Sequence, residues 1–351
     1  MRTVMSDRAL NRLRRLARKV LECLEDGKPL RIPKRTTSNI EYDPDSGIYK
    51  VGDAKLERRP DTLKGSKKLA QMMCVAAFAK ELVERNRSAT LREIYYTSEG
   101  WDVSFKDQRE SDAIIEDLEA ATGLKREEFG IWPEEDGAAV YGDLLVREDG
   151  VEIHAERAGI SGYNIPPNVD AVEFLDCGAE RVIAVETMGM YRRLVQERAH
   201  EKLDALIIGL KGQAARATRR LIKRLNEELD LPVYVFTDGD PYGWHIYMVI
   251  KSGSAKAAHL NEELACPDAV FLGVTATDIV EYDLPTEPLK EADLKRIDEL
   301  LKDPRYDDPF WRRELHKLKK IGRKAEQQAF AKYSLDYVVE EYLPRKLEEL
   351  E

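Results

Sequence analysis

Two short motifs hold the residues of this chain whose types and spacing suit metal chemistry: RVIAVE, ending at Glu186, and LPVYVFTDGD, carrying Asp238 and Asp240. Each is an apolar run that ends in acid. In an extended D-G-D segment alternate side chains face the same way, and Gly239 lets the backbone turn closely between them. If both runs are parallel strands, their carboxyl ends share one sheet edge, where α/β sheets bind ligands. Carboxylates that converge repel one another unless a cation sits among them. Oxygen ligands without His or Cys favour Mg²⁺. The plainer reading of DGDP is a solvent-exposed turn.

A second stretch, TLREIYY (90–96), offers a nucleophile. Arg92 lies three and four residues before Tyr95 and Tyr96, so a helix places it near both. A guanidinium there favours phenolate over phenol and holds a phosphate oxygen as charge grows on it. The alternative is a Tyr-Tyr pair packed into a core, and helix geometry admits either tyrosine as the nucleophile.

The elements that must position these residues fall into two patterns. Residues 6–26 read as an amphipathic helix and 29–53 as extended, with a turn near DPDSG. A long helix, KKLAQMMCVAAFAKELVERN, precedes the short helix LREIYY, whose Thr90 and Glu93 fit a capping box. A third helix, DQRESDAIIEDLEAATG, is strongly acidic and ill suited to lie along phosphates in a groove. AAVYGDLLV and VEIHAE flank the turn signal REDG. Three helices and a hairpin predict a winged-helix domain over 65–158. From about 175, RVIAVE, LDALIIGL, LPVYVFTDGD and AVFLGVT alternate with helices, as in a parallel α/β sheet. The tail from about 286 reads as mostly helical. The expected fold is thus α/β (α+β overall), divided as 1–64, 65–158 and 159–351.

Composition bounds the rest. The chain has 351 residues, 35% of them charged, and a net charge of −10. No apolar run approaches a membrane span and no signal-peptide core opens the sequence, so a cytoplasmic protein is expected. Four scattered cysteines without a CxxC pair argue against a zinc ribbon or a disulfide framework. There is no P-loop and no dinucleotide fingerprint. Acidity argues against nucleic acid, yet residues 211–224 carry six bases and no acid. Lys211, Arg216, Arg219 and Arg220 are therefore candidate DNA contacts, against the reading of a solvated helix face.

Taken together, these motifs resemble the A-subunit family of DNA topoisomerase VI, the type IIB enzyme, and more distantly the meiotic double-strand-break protein. RIPKRTTSNIEYD, LREIYY with QRESDAIIEDLE, GIWPEEDGAAVYGDL, GYNIPP, the two acidic motifs, LGVTATDIVEYDLP, KAEQQAF and YLP carry the likeness along nearly the whole chain. The resemblance implies a winged helix bearing the nucleophile Tyr96 with Arg92 beside it, followed by a Toprim domain whose Glu186, Asp238 and Asp240 hold Mg²⁺. It also implies double-stranded DNA as substrate, a homodimer of this chain, a partner B subunit with a GHKL-type ATPase, and an A2B2 heterotetramer that cleaves and reseals through a 5′-phosphotyrosyl bond. GLKGQAARATRRL departs from the family pattern, which leaves the role of Lys211 and its neighbours open. The competing readings are a hydrolytic Toprim nuclease, a break-forming homologue that does not reseal, and a non-catalytic winged-helix DNA-binding protein.

Overall fold

The structure is a computed structural model that describes residues 2–132 and 138–350. Its contacts divide the chain into two compact units, Met1–Glu41, Lys50–Glu135 and Ala255–Leu260 in one, Tyr42–Tyr49, Asp136–Ser254 and Asn261–Glu351 in the other.

The first unit is built on helices α1 (Arg2–Glu25), α2 (Leu63–Glu84), α3 (Leu91–Ser98) and α4 (Gln108–Thr122). One apolar cluster joins them: Leu13 and Leu16 of α1, Met72 and Val75 of α2, Ile94 of α3, and Ile114 and Leu118 of α4. Strand β1 (Leu30–Pro33) pairs with a later strand, Lys55–Arg58; between them Ile40–Asp43 (β2) pairs with Ile48–Val51 (β3), so Lys55–Arg58 is β4. Short strands β5 (Ala89–Thr90) and β6 (Ile131–Trp132) run parallel beside α3. The first helix and β1 thus share a core with α2–α4 instead of forming a separate 1–64 region, because the apolar stripe of α1 has its partners on α2 and α4, whereas Tyr42–Tyr49 falls in the second unit.

Two of the acids of α4 are internal. Asp117 receives Arg35 at 2.9 Å and also Arg58. Glu119 receives the backbone N–H of Arg126 at 2.8 Å and its guanidinium at 2.9 Å. Both carboxylates are almost fully buried, so they are structural ion pairs and not a repulsive outer face.

In the second unit a six-stranded sheet has the order β10 (Tyr163–Asn164), β7 (Ala139–Tyr141), β13 (Ala205–Gly209), β12 (Arg181–Val185), β14 (Val233–Phe236), β15 (Val270–Gly273). The last four strands are mutually parallel. They are the four apolar runs of the sequence, and β12, β13 and β14 are buried along nearly their whole length, as expected for strands covered on both faces. Helices α5 (Met188–Gln196), α6 (Ala199–Lys202), α7 (Arg216–Leu229), α8 (Pro241–Ser252), α9 (Asn261–Leu264) and α10 (Ala276–Glu281) accompany them. The tail adds α11 (Glu291–Leu300), α12 (Pro309–Ile321) and α13 (Leu343–Leu350).

The expected hairpin is present: β8 (Leu144–Glu148) and β9 (Val151–His154) turn at Asp149–Gly150, and β8 pairs on its other side with β11 (Glu173–Cys177) in a three-stranded sheet. Its placement corrects the 65–158 boundary, since it belongs to the second unit and not with α2–α4. AAVYGDLLV is also two strands and not one. Gly142, at φ +137°, breaks it where a Cβ would lie 3.0 Å from the Ala205 carbonyl oxygen, and β7 and β8 join different sheets. PEEDG (133–137), part of the GIWPEEDGAAVYGDL motif, lies outside the described residues.

Candidate active site

In the first unit the short helix α3 is fixed at its start by the expected box: Thr90 Oγ1 accepts from the Glu93 N–H at 3.2 Å and Glu93 Oε2 from the Thr90 N–H at 2.6 Å. Ile94 seats one face in the core, and Ser98 Oγ donates to the Tyr95 carbonyl at 2.6 Å. The two tyrosines then part company. Tyr95 is half-buried against the apolar cluster, whereas Tyr96 is 58% exposed, its ring 5.4 Å from that of Tyr95. Arg92 is on the exposed side of the same helix. Tyr96 lines a cavity of about 380 Å³ with Phe78, Glu81, Arg85, Arg87 and Glu93. Arg85 and Arg87 had no signal in the sequence beyond their charge, because they sit on the preceding turn and not on the tyrosine helix.

In the second unit the register puts Val185 beside Gly209 and Phe236, so the strands end together. Glu186 follows β12 at once, and Asp238 and Asp240 follow β14. Glu186 Oε2 accepts from the Asp238 N–H at 2.9 Å, and Asp238 Oδ1 from the Gln327 N–H at 2.8 Å. Asp240 caps α8: its Oδ1 accepts from the N–H groups of Tyr242 and Gly243 at 2.9 and 2.7 Å. Glycine is required at 243 by close approach, since a Cβ there would meet the Asp238 carbonyl oxygen at 2.5 Å and Glu186 Oε2 at 3.0 Å.

The tail returns to this edge. Lys324 Nζ lies 3.5 Å from Asp240 and 3.3 Å from Asp293, Gln327 also donates to the Phe236 carbonyl at 2.8 Å, and Glu326 lines the same cavity of about 370 Å³ as Asp238 and Asp240. Lys324 and Glu326 are functional candidates that sequence reasoning missed, although KAEQQAF is among the motifs of resemblance. Burial, then the charge of Asp238, pushes Glu186 up to about 8; burial, then Asp240 and Glu326, pushes Asp238 up to about 6. Four acids facing one lysine repel one another unless a cation relieves them. The donors are all oxygen, which suits a hard divalent ion. The carboxylates share the edge without closing into a cage in which every ligand atom lies within 4.8 Å of the others; among the described residues that condition is met elsewhere.

The four basic candidates divide. Lys211 is exposed, with φ +61°, next to Gly212, whose N–H donates to the Glu186 carbonyl at 2.8 Å. Arg216 is half-buried at the first position of α7. Arg219 and Arg220 are engaged within their own unit. Arg219 is only 6% exposed, and burial, helped by Arg216, pulls it down to about 10. Arg220 is paired with Asp170 at 2.7 Å and Glu263 at 3.5 Å. The amphipathic period of α7 turns Arg219 inward, which a count of bases cannot show.

Three family models match consecutive stretches. They describe the type IIB DNA topoisomerase (67–131), the all-beta domain in the DNA topoisomerase VI alpha subunit (134–178), and the Toprim domain shared by the topoisomerase 6 A subunit with Spo11 (181–347). Matched in turn by these three models, the chain is a subunit of a type II DNA topoisomerase. Similar proteins, each named as the A subunit of type 2 DNA topoisomerase 6, occur in Methanothermobacter thermautotrophicus (59% identical, covering 98% of both chains) and Archaeoglobus fulgidus (51%, covering 92% of this chain and 91% of that one). A third, from Methanosarcina acetivorans, is 45% identical over 97% of this chain and 94% of its own. The chain belongs to the topoisomerase VI A-subunit family.

Proposed function

We propose that this chain is the DNA-cleaving component of a type IIB topoisomerase and that Tyr96 is its nucleophile. The observation that carries the assignment is the contrast on α3: a capped, core-anchored helix buries part of Tyr95 and presents Tyr96 to solvent. The Tyr96 oxygen attacks a backbone phosphorus of duplex DNA. A bond forms to the 5′-phosphate, and the bond to the 3′ oxygen breaks, so the strand end leaves as a 3′-hydroxyl with a proton. Reversal reseals the strand without an external energy source. Arg92 holds a phosphate oxygen as charge grows there.

Glu186, Asp238 and Asp240 would hold Mg²⁺, which supplies charge neutralisation at the phosphate. Lys211 and Arg216 remain as proposed DNA contacts. Two copies act on the two strands of a duplex. A B subunit with a GHKL-type ATPase completes an A2B2 complex, cytoplasmic like its chromosome, that relaxes supercoils and decatenates. Phosphate contacts dominate such binding, so it weakens steeply with salt.

The test is a covalent-adduct assay with supercoiled DNA, Mg²⁺, the B partner and an ATP analogue, stopped with detergent. Protein attached to linearised DNA is expected for wild type and Tyr95→Phe, and a loss of about a thousandfold or more for Tyr96→Phe, since an oxygen nucleophile is deleted. Equal cutting by Tyr96→Phe without attached protein would make the acidic edge a hydrolytic nuclease.

A further inference from the structure

The geometry points to a second cation site, formed by Asp143, His154 and Glu156 and suited to a borderline divalent metal of the zinc type. One ligand atom from each residue lies within 4.8 Å of the other two. The site is at the opposite end of the parallel sheet from Glu186. Gly142 abuts Ala205, the first residue of β13, while Glu186 follows the last residue of β12.

The sequence brings the three residues together through the small sheet. Leu145 pairs with His154 across β8 and β9, and Asp143 stands immediately before β8, two residues from Leu145. Glu156 follows in the turn Ala155–Arg157. The Asp143 carboxylate is let in by Gly178, whose N–H donates to the Asp143 carbonyl at 3.1 Å and at which a Cβ would lie 2.1 Å from Asp143 Oδ2.

Two histidines contribute at this end of the sheet. His154 Nδ1 is shielded from water and has no hydrogen-bond partner. The same holds for Nδ1 of His200, whose side chain is 8% exposed, packs edge-on 4.8 Å from the Tyr141 ring, and feels the charge of Glu156. Buried polar atoms are rarely left unpaired. Competing contacts are weak: Glu156 meets Arg157 at 3.7 Å, and His200 Nε2 meets Glu201 at 3.4 Å.

A cation among these groups accepts the imidazole lone pair and separates two carboxylates that otherwise repel. Ligand distances of about 2.0–2.2 Å for zinc require only a modest closing of the cluster. An imidazole donor distinguishes the site from the all-oxygen edge that favours magnesium. A bound ion would tie the β7–β8 connection, the end of β9 and the following turn to one point, with His200 as a further ligand or as the group that orients one.

The test uses the full chain, stripped with chelator and titrated with Zn²⁺, then with Co²⁺ to read visible ligand-field bands. Wild type is expected to take up one zinc that Asp238→Asn, an alteration of the catalytic edge, retains. His154→Ala is expected to lose it, with the cobalt bands of that site. Should His154→Ala fail to fold, the exposed Asp143→Asn reports instead, with zinc binding weakened about tenfold or more, as for the loss of one ligand or its support. Zinc uptake and cobalt spectra that are unchanged in His154→Ala or Asp143→Asn overturn the proposal, as does a wild-type chain that binds no zinc.

Discussion

Gly243 shows how little room separates the acids from the helix they introduce. A methyl group at 243 would press on the Asp238 carbonyl oxygen and on Glu186 together. Gly243→Ala removes a helix-interior glycine, which alone favours folding by about 1 kcal/mol, but the clash forces a backbone shift that costs roughly 1–3 kcal/mol. The expected outcome is a folded protein with no gain in melting temperature and a strongly reduced yield of covalent adduct. A stabilised variant of full activity would show that the edge yields freely. The acids themselves are legible in the sequence because each closes an apolar run. Lys324 is not legible, because it comes back to Asp240 from 84 residues further on, and no local pattern records a contact of that range.

At the scale of the element, α4 carries two of its acids inward. Glu119 accepts both the backbone N–H and the guanidinium of Arg126 in a nearly dry setting. Glu119→Ala leaves Arg126 buried without its partner and is expected to cost about 3–5 kcal/mol in urea unfolding. Glu116→Ala, whose carboxylate is 37% exposed, is expected to cost no more than about 1 kcal/mol. Equal costs would mean that the outer pair is the structural one. A sequence shows that α4 is acidic but not which acids have buried partners, since Arg35 and Arg58 come from the extended segment far upstream. The parallel strands are easier to read: buried on both faces, they stand out as continuous apolar runs. The β7–β8 break is harder, because Gly142 interrupts a stretch whose composition does not change.

For the whole molecule, acid stability offers a test independent of catalysis. Burial first, then Arg296 and Arg305, pulls His245 down to about 3. The unfolded chain takes up a proton near pH 6.5 that the folded chain refuses. The stabilisation is therefore complete above pH 6.5 and is lost as pH falls below it, with a limiting slope of about 1.4 kcal/mol per pH unit, reduced by the partial exposure of the ring. His245→Gln is expected to flatten the difference in unfolding free energy between pH 7 and pH 5. An unchanged difference assigns the acid sensitivity to other groups.

Asp240 serves two masters, and this matters for reading the chain's kin. One of its oxygens holds the start of α8, a task that asparagine or serine performs about as well. Folding alone therefore tolerates a neutral residue at this position, while the metal-holding role proposed for Asp240 does not. A descendant that has given up cutting DNA but still needs its architecture would drift there to Asn or Ser before it drifted to Ala. On the proposed assignment, that single letter would separate a retired enzyme from a working one.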